Sequence, residues 1–211
     1  MSNVQSLKPG QMVTFRKVIS ALAANIVLTA AVGAQDKSKY YSVTHFKEYK
    51  INWKAFYDKI DTMTAEVRRE LPNHLGIPYG SDPRQKLDLY LPKQKHARGP
   101  VLIFLHGGAF FEGDRAHYGY VSRPLAKHGV LTIVPSYRLA PEFQFPAQPQ
   151  DVVQVLTWVY HNIASYGGDP GHIYLAGHSA GAILAAFVSL ETDWMVRMSL
   201  PADLYQGLCA Y

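Results

Sequence analysis

Ile173-Tyr174-Leu175-Ala176, then Gly177-His178-Ser179-Ala180-Gly181, then Ala182-Ile183-Leu184-Ala185-Ala186-Phe187-Val188 carries the strongest architectural signal in the chain. A short apolar run, a glycine-flanked serine and a run apolar on every side predict a buried strand, a sharp turn and a buried helix. The turn matches the G-x-S-x-G pattern, which alone is a weak signal because Gly and Ser are common. The flanks give it weight, since a serine raised on a strained strand-to-helix turn needs glycines two positions to either side, where strand and helix approach too closely for side chains. Ser179 is therefore a candidate nucleophile.

Further back, Val101 to Leu105 and Val130 to Val134 are apolar without alternation, as expected of strands covered on both faces of a parallel sheet. Between the second run and Ile173–Ala176 lies a helix signal. Val152, Val155, Leu156, Val159 and Ile163 share one face, Asp151 falls in the first turn and Gly167 at the end. Strand, helix and strand in that order make a βαβ unit and a parallel sheet. Pro124 marks a helix start near Ser122 or Arg123. Leu87 to Leu91 alternates and reads as a half-exposed strand, and Tyr40 to Leu71, with aromatics interleaved among charges, reads as short amphipathic helices.

His106-Gly107-Gly108-Ala109-Phe110 follows the first of the apolar runs, at the strand end where open parallel sheets bind ligands. Gly107 and Gly108 let the backbone turn its N–H groups toward a substrate oxygen. With the N–H of Ala180 they make a three-donor oxyanion hole, each donor worth about 3 kcal/mol in the transition state. His106 is better suited to a structural hydrogen bond than to general-base work. His106, Asp114 and His117 reproduce no zinc spacing, so neither a metal nor a cofactor is called for.

Composition narrows the rest. The net charge of +5 includes Lys8, Arg16 and Lys17 from a first stretch of 34 residues without an acid, and what remains is too little and too scattered for a nucleic-acid surface. Cys209 is the single cysteine, so the core must hold the fold without a disulfide. Val18 to Ala34 is uncharged and largely apolar behind Arg16 and Lys17, and two readings stand side by side. One is an export leader cleaved near Gln35; the other is an N-terminal helix of a cytoplasmic protein. The stretch is short for a permanent membrane span.

The segments HGGAF (106–110), SYRLAPEFQFPAQPQD (136–151), GGDP (167–170) and GHSAG (177–181) together resemble the hormone-sensitive-lipase-like branch of the α/β-hydrolases, which includes carboxylesterases and, close by, kynurenine formamidases. The resemblance covers roughly residues 76–190. It implies an α/β-hydrolase fold, Ser179 as nucleophile, Gly107, Gly108 and Ala180 as oxyanion donors, Arg138 and Glu142 as scaffold residues, and a cap formed by residues before about Leu71. Ser136 stands where that branch usually has an acid, and Ala109 replaces the third glycine of HGGG, which tightens the loop. The expected organisation is a leader over 1–34, a cap-like segment over 35–75 and a core over 76–211.

In this fold the acid and then the histidine follow the serine, yet no histidine follows Ser179. The expectation is a core incomplete at its C-terminal end, with the triad's acid and base beyond residue 211 and this stretch alone inactive. The expected activity is cleavage of a small carboxylic ester. An amidase such as a kynurenine formamidase, and an inactive hydrolase-like binding protein, stay open as alternatives. Nothing in the sequence sets an oligomeric state.

Overall fold

Three apolar runs and one alternating run become the middle of a six-stranded mixed sheet in the computed structural model, which describes residues 52–94, 98–191, 193, 196, 198–201 and 204–210, the last stretch without the side chains of 205 and 208–210. The chain order is α1 (Trp53–Glu70), β1 (Asn73–Pro78), β2 (Lys86–Tyr90), β3 (Gly99–Leu105), α2 (Ser122–Ala126), β4 (Leu131–Pro135), α3 (Ala147–Asn162), β5 (Gly168–Gly177), α4 (Ala180–Leu190) and β6 (Tyr205–Ala210). In space the strands run β1-β2-β4-β3-β5-β6. The β4, β3, β5 and β6 strands are parallel, and β1 and β2 join antiparallel at one edge.

β3 lies between β4 and β5, with Leu102 opposite both Thr132 and Tyr174. Covered on both sides and both faces, its Val101, Ile103 and Leu105 are buried together with Ile133, Ile173 and Leu175. The α3 helix lays Val152, Val155, Leu156 and Val159 on this core and α4 adds Leu184, Ala185 and Val188. Burying a side chain of this size contributes roughly 2 kcal/mol. Pro124 falls in the first turn of α2, as its missing N–H requires.

Three sequence expectations need correcting. The β2 strand is not half-exposed: Leu87, Asp88, Leu89 and Tyr90 are all buried. Asp88 makes this possible, because Oδ1 accepts from Arg115 Nε at 3.0 Å and Gly76 N at 2.8 Å, and Oδ2 from Arg68 Nη2 at 3.2 Å. The α3 helix begins a turn early, at Ala147, so Asp151 sits in its second turn. And α4 is not buried all round, since Ile183 and Leu190 are exposed.

Of the aromatic N-terminal region, residues 53–70 form one 18-residue helix rather than several short ones; residues 40–51 and the candidate leader 18–34 lie outside the described residues. The α1 helix packs on the turns at Arg115–His117 and Gly119–Val121, with Thr64 Oγ1 donating to His117 O at 2.8 Å and accepting from Tyr120 N at 3.2 Å. Arg123 bridges Glu66 and Glu70 at 2.8 and 3.0 Å. Among the described residues no helix is long and apolar enough to cross a membrane.

Candidate active site

The glycine-flanked serine lies at the C-terminal ends of the parallel strands, between β5 and α4. Ser179 has φ 52° and ψ −118°, a conformation that costs a non-glycine residue of order 1–3 kcal/mol. Backbone hydrogen bonds on both sides enforce it: His178 N donates to Leu105 O at 3.1 Å, Gly181 N to His178 O at 2.9 Å and Ile183 N to Ser179 O at 3.1 Å. The glycines are needed for space. A Cβ on Gly177 would come within 2.4 Å of the Gly181 carbonyl, and one on Gly181 within 2.1 Å of Leu105 O. The result is a serine that is exposed at the tip of a tight turn while Ala180 and Gly181 behind it are buried.

Leu105 of β3 pairs with Gly177 of β5, so the loops leaving the two strands start side by side. Gly107 lies against the elbow, where an added Cβ would meet His178 Nδ1 at 2.8 Å and His178 O at 3.1 Å. Gly108 has φ 120°, and its carbonyl accepts from Phe111 N and Glu112 N at 2.9 and 3.0 Å, which closes a turn. Ala180 opens α4, where the N–H groups have no carbonyl a turn behind them. Ser179, Gly107, Gly108 and Ala180 are thus brought to one place. Ala109 and Phe110 carry φ of 51° and 67°, so the alanine in the third glycine position does sit where only glycine is unstrained.

His106 is 0% exposed and belongs to the scaffold. Its Nδ1 lies 2.7 Å from Gly107 O, its ring stacks on Tyr137 at 4.2 Å, and Tyr137 OH donates to His106 O at 2.8 Å. A carbonyl only accepts, so Nδ1 carries the proton, and the buried Nε2 has no hydrogen-bond partner among the described residues. Burial pushes the imidazole down to about 4, the Gly107 carbonyl opposing only in part. A ring so enclosed stays neutral at pH 7 and is spent on holding the loop.

Behind the loop a polar network fixes its far end. Arg84 donates to Gly113 O at 2.6 Å and to Tyr137 O at 2.9 Å. Asp114 accepts from Ala116 N and the Ser136 hydroxyl, both at 2.9 Å. Burial raises the Asp114 carboxyl, but these hydrogen bonds, with Arg115 and Arg84 nearby, outweigh it and hold the group below the ordinary carboxylate range. Ser136 also accepts from Arg115 N at 2.9 Å, so the missing acid at this position is met by a small hydroxyl between Asp114 and Arg115. Arg138 pairs with the fully buried Asp151, Nη2 to Oδ1 at 2.6 Å, and Gln85 donates to the same oxygen at 2.8 Å. Arg138 is therefore a scaffold residue as expected; Glu142 is exposed and makes no ion pair among the described residues.

Sequence reasoning missed Arg84, Arg115 and Asp88, whose type alone carries no signal. His106, Asp114 and His117 do not converge, because His117 Nδ1 turns to Asp61 at 2.5 Å; no group of three metal-ligating side chains exists among the described residues.

Known proteins share this arrangement of segments. An isoprenylcysteine alpha-carbonyl methylesterase of Arabidopsis thaliana is 39% identical over 128 residues, 61% of this chain and 29% of the relative. A kynurenine formamidase of Salmo salar is 38% identical over 131 residues, 62% of this chain and 43% of the relative. The chain thus spans less than half the length of either. Among solved structures, esterase B from Lactobacillus rhamnosis superposes with a TM-score of 0.64 at 28% identity, over 75% of this chain and 54% of that one. The mostly parallel sheet flanked by helices is the α/β-hydrolase fold of such esterases. The BD-FAE family model matches residues 87–198, just over half of the chain and all of the loops described above, so the chain belongs to the BD-FAE family.

Proposed function

We propose that this chain carries the nucleophile and oxyanion hole of a serine hydrolase that cleaves small carboxylic esters. Ser179 Oγ attacks the carbonyl carbon, and the displaced electron pair gathers on the carbonyl oxygen, which the N–H groups of Gly107, Gly108 and Ala180 stabilise. Collapse expels the alcohol, and water then releases the acid from Ser179. No general base is assigned among these 211 residues; His106, which follows β3 at the start of the oxyanion loop, has Nδ1 on its own loop and its basicity lowered by burial. The observation that carries the reading is Ser179 itself, exposed at φ 52° beside the glycine loop of the neighbouring strand. In the full-length protein, Ser179→Ala should lower kcat on p-nitrophenyl acetate by about a millionfold, the size of nucleophile loss in other serine hydrolases. A loss under tenfold contradicts the proposal.

The similarity to a kynurenine formamidase supports a second reading, cleavage of an amide by the same serine. Comparing kcat/KM on phenyl formate and formanilide separates the two. A formanilide value within about tenfold of the ester, an intrinsically far easier bond, favours the amidase.

A further inference from the structure

We infer that the end of the molecule opposite Ser179 carries a second binding site, for a phosphate monoester of a flat aromatic group. The site is independent of the serine-hydrolase reading.

Two hollows open there side by side. The larger, about 530 Å³, lies between Pro72 and His74 at the start of β1, Leu91 and Pro92 just after β2, Leu131 opening β4 and Tyr166 just before β5. The smaller, about 320 Å³, lies between Glu70 and Leu71 at the end of α1, Arg123 and Lys127 at α2, and Lys93. Lys93 lines both, and Leu71 of one adjoins Pro72 of the other. These positions stand at the N-terminal ends of the parallel strands. Gly99 N donates to Gly167 O at that end of β3, and Leu105 pairs with Gly177 at the other, so about 20 Å of strand separates the hollows from the serine turn. A ligand held here does not touch Ser179.

The two hollows offer unlike chemistry. Among the described residues no Asp or Glu lines the larger one. The Tyr166 ring meets His74 edge-on with centroids 5.0 Å apart and has Trp158 at 6.0 Å, so two rings stand beside the apolar floor of Pro72, Leu91 and Leu131. The Ser165 hydroxyl in this wall is already given to Asn162 O at 2.7 Å. A flat ring therefore enters without losing hydrogen bonds, where a sugar would strand its hydroxyls. The volume is in the range that encloses a small molecule.

In the smaller hollow the one acid has its counter-charge, since Arg123 donates Nε and Nη2 to the two oxygens of Glu70, both at 3.0 Å. Nη2 also reaches Glu66 at 2.8 Å, which ties α2 to α1 and holds the hollow open. Lys93 and Lys127 remain. Both are exposed, and neither ammonium meets a carboxylate among the described residues. Two uncompensated cations around one hollow suit a dianion, and a phosphate monoester carries about two negative charges at pH 7 on three acceptor oxygens, against one for a carboxylate. Because Lys93 borders both hollows, a ring seated in the larger one brings its phosphate to the two lysines.

Titrating the full-length protein calorimetrically with 2-naphthyl phosphate, inorganic phosphate and 2-naphthol tests the site. The joined ligand should bind at least about tenfold more tightly than either half, because ring burial adds to charge pairing. Lys93→Glu combined with Lys127→Glu should weaken it about tenfold, and the milder Lys93→Gln with Lys127→Gln about threefold, the loss shrinking in high salt. His74→Ala should weaken 2-naphthyl phosphate about threefold and leave inorganic phosphate unchanged. All three positions are exposed, so these variants should keep the urea midpoint of the parent. Ser179→Ala should titrate as the parent does, whether or not that serine is a nucleophile. The site is overturned if 2-naphthyl phosphate binds no more tightly than inorganic phosphate, if both lysine pairs keep the parent affinity, or if Ser179→Ala abolishes binding.

Discussion

The glycine loop 106–113 has two unlike flanks. On one, Asp88, Asp114, Arg84, Arg115 and Ser136 form a network with Arg68 of α1 in which each charge meets an opposite charge or a hydrogen bond. On the other, Phe111, Phe145 and Ile183 turn apolar surface to solvent. Charges withdrawn from water are costly unless paired, so the first flank has its partners within the chain and serves as scaffold. Apolar surface in water is also costly, at about 25 cal/mol per Å², and the second flank is covered only in part, by the edge-on contact of Phe145 with Phe187. Completed pairing identifies the flank that holds the loop in place.

Mutation of the two flanks should separate them most sharply. Asp88→Ala strands Arg68 and Arg115 beside a buried position and should cost about 3–5 kcal/mol in urea unfolding. Ile183→Asn, at a position 61% exposed, should cost under about 1 kcal/mol. Equal costs would erase the distinction.

Acid should reveal the next largest effect. The imidazole of His106 takes a proton near 6.5 in the unfolded chain and only at about 4 in the fold. Between those values the unfolded state holds more protons, so acidification favours unfolding. Stability should fall by roughly 3 kcal/mol from pH 6.5 to pH 4, with no further loss from this group below. His106→Gln should remove that part of the slope; an unchanged slope would show that the ring titrates normally.

The smallest effect concerns strain within the loop. Ala109 at φ 51° is costly for a side-chain-bearing residue, and glycine relieves it while adding freedom to the unfolded chain. Ala109→Gly should therefore raise stability by up to about 1 kcal/mol, read as an increase in the urea midpoint at constant slope. A decrease would mean that the Ala109 methyl contributes more by packing than its backbone costs.

The elbow was legible because its requirements are local: a buried parallel strand is apolar at every position, and two glycines mark where backbones touch. β3 and β4 were legible for the same reason. Asp88 was not, because alternation reads a charge as solvent-facing and its partners Arg68 and Arg115 lie 20 and 27 residues away. The start of α3 was misplaced for a related cause, the acid at 151 being taken for a first-turn residue when it is the partner of Arg138. Ile183 shows the opposite error. An all-apolar helix reads as covered on every side, and its periodicity does not tell the buried face from the exposed one.

The account stands or falls on Ser179 as the attacking atom. Incubating the full-length protein with an ethyl p-nitrophenyl alkylphosphonate, then taking the intact mass and mapping the peptides, should give one phosphonyl adduct per chain, on Ser179, and none in Ser179→Ala. An adduct on another residue, or equal labelling of the alanine variant, would contradict it.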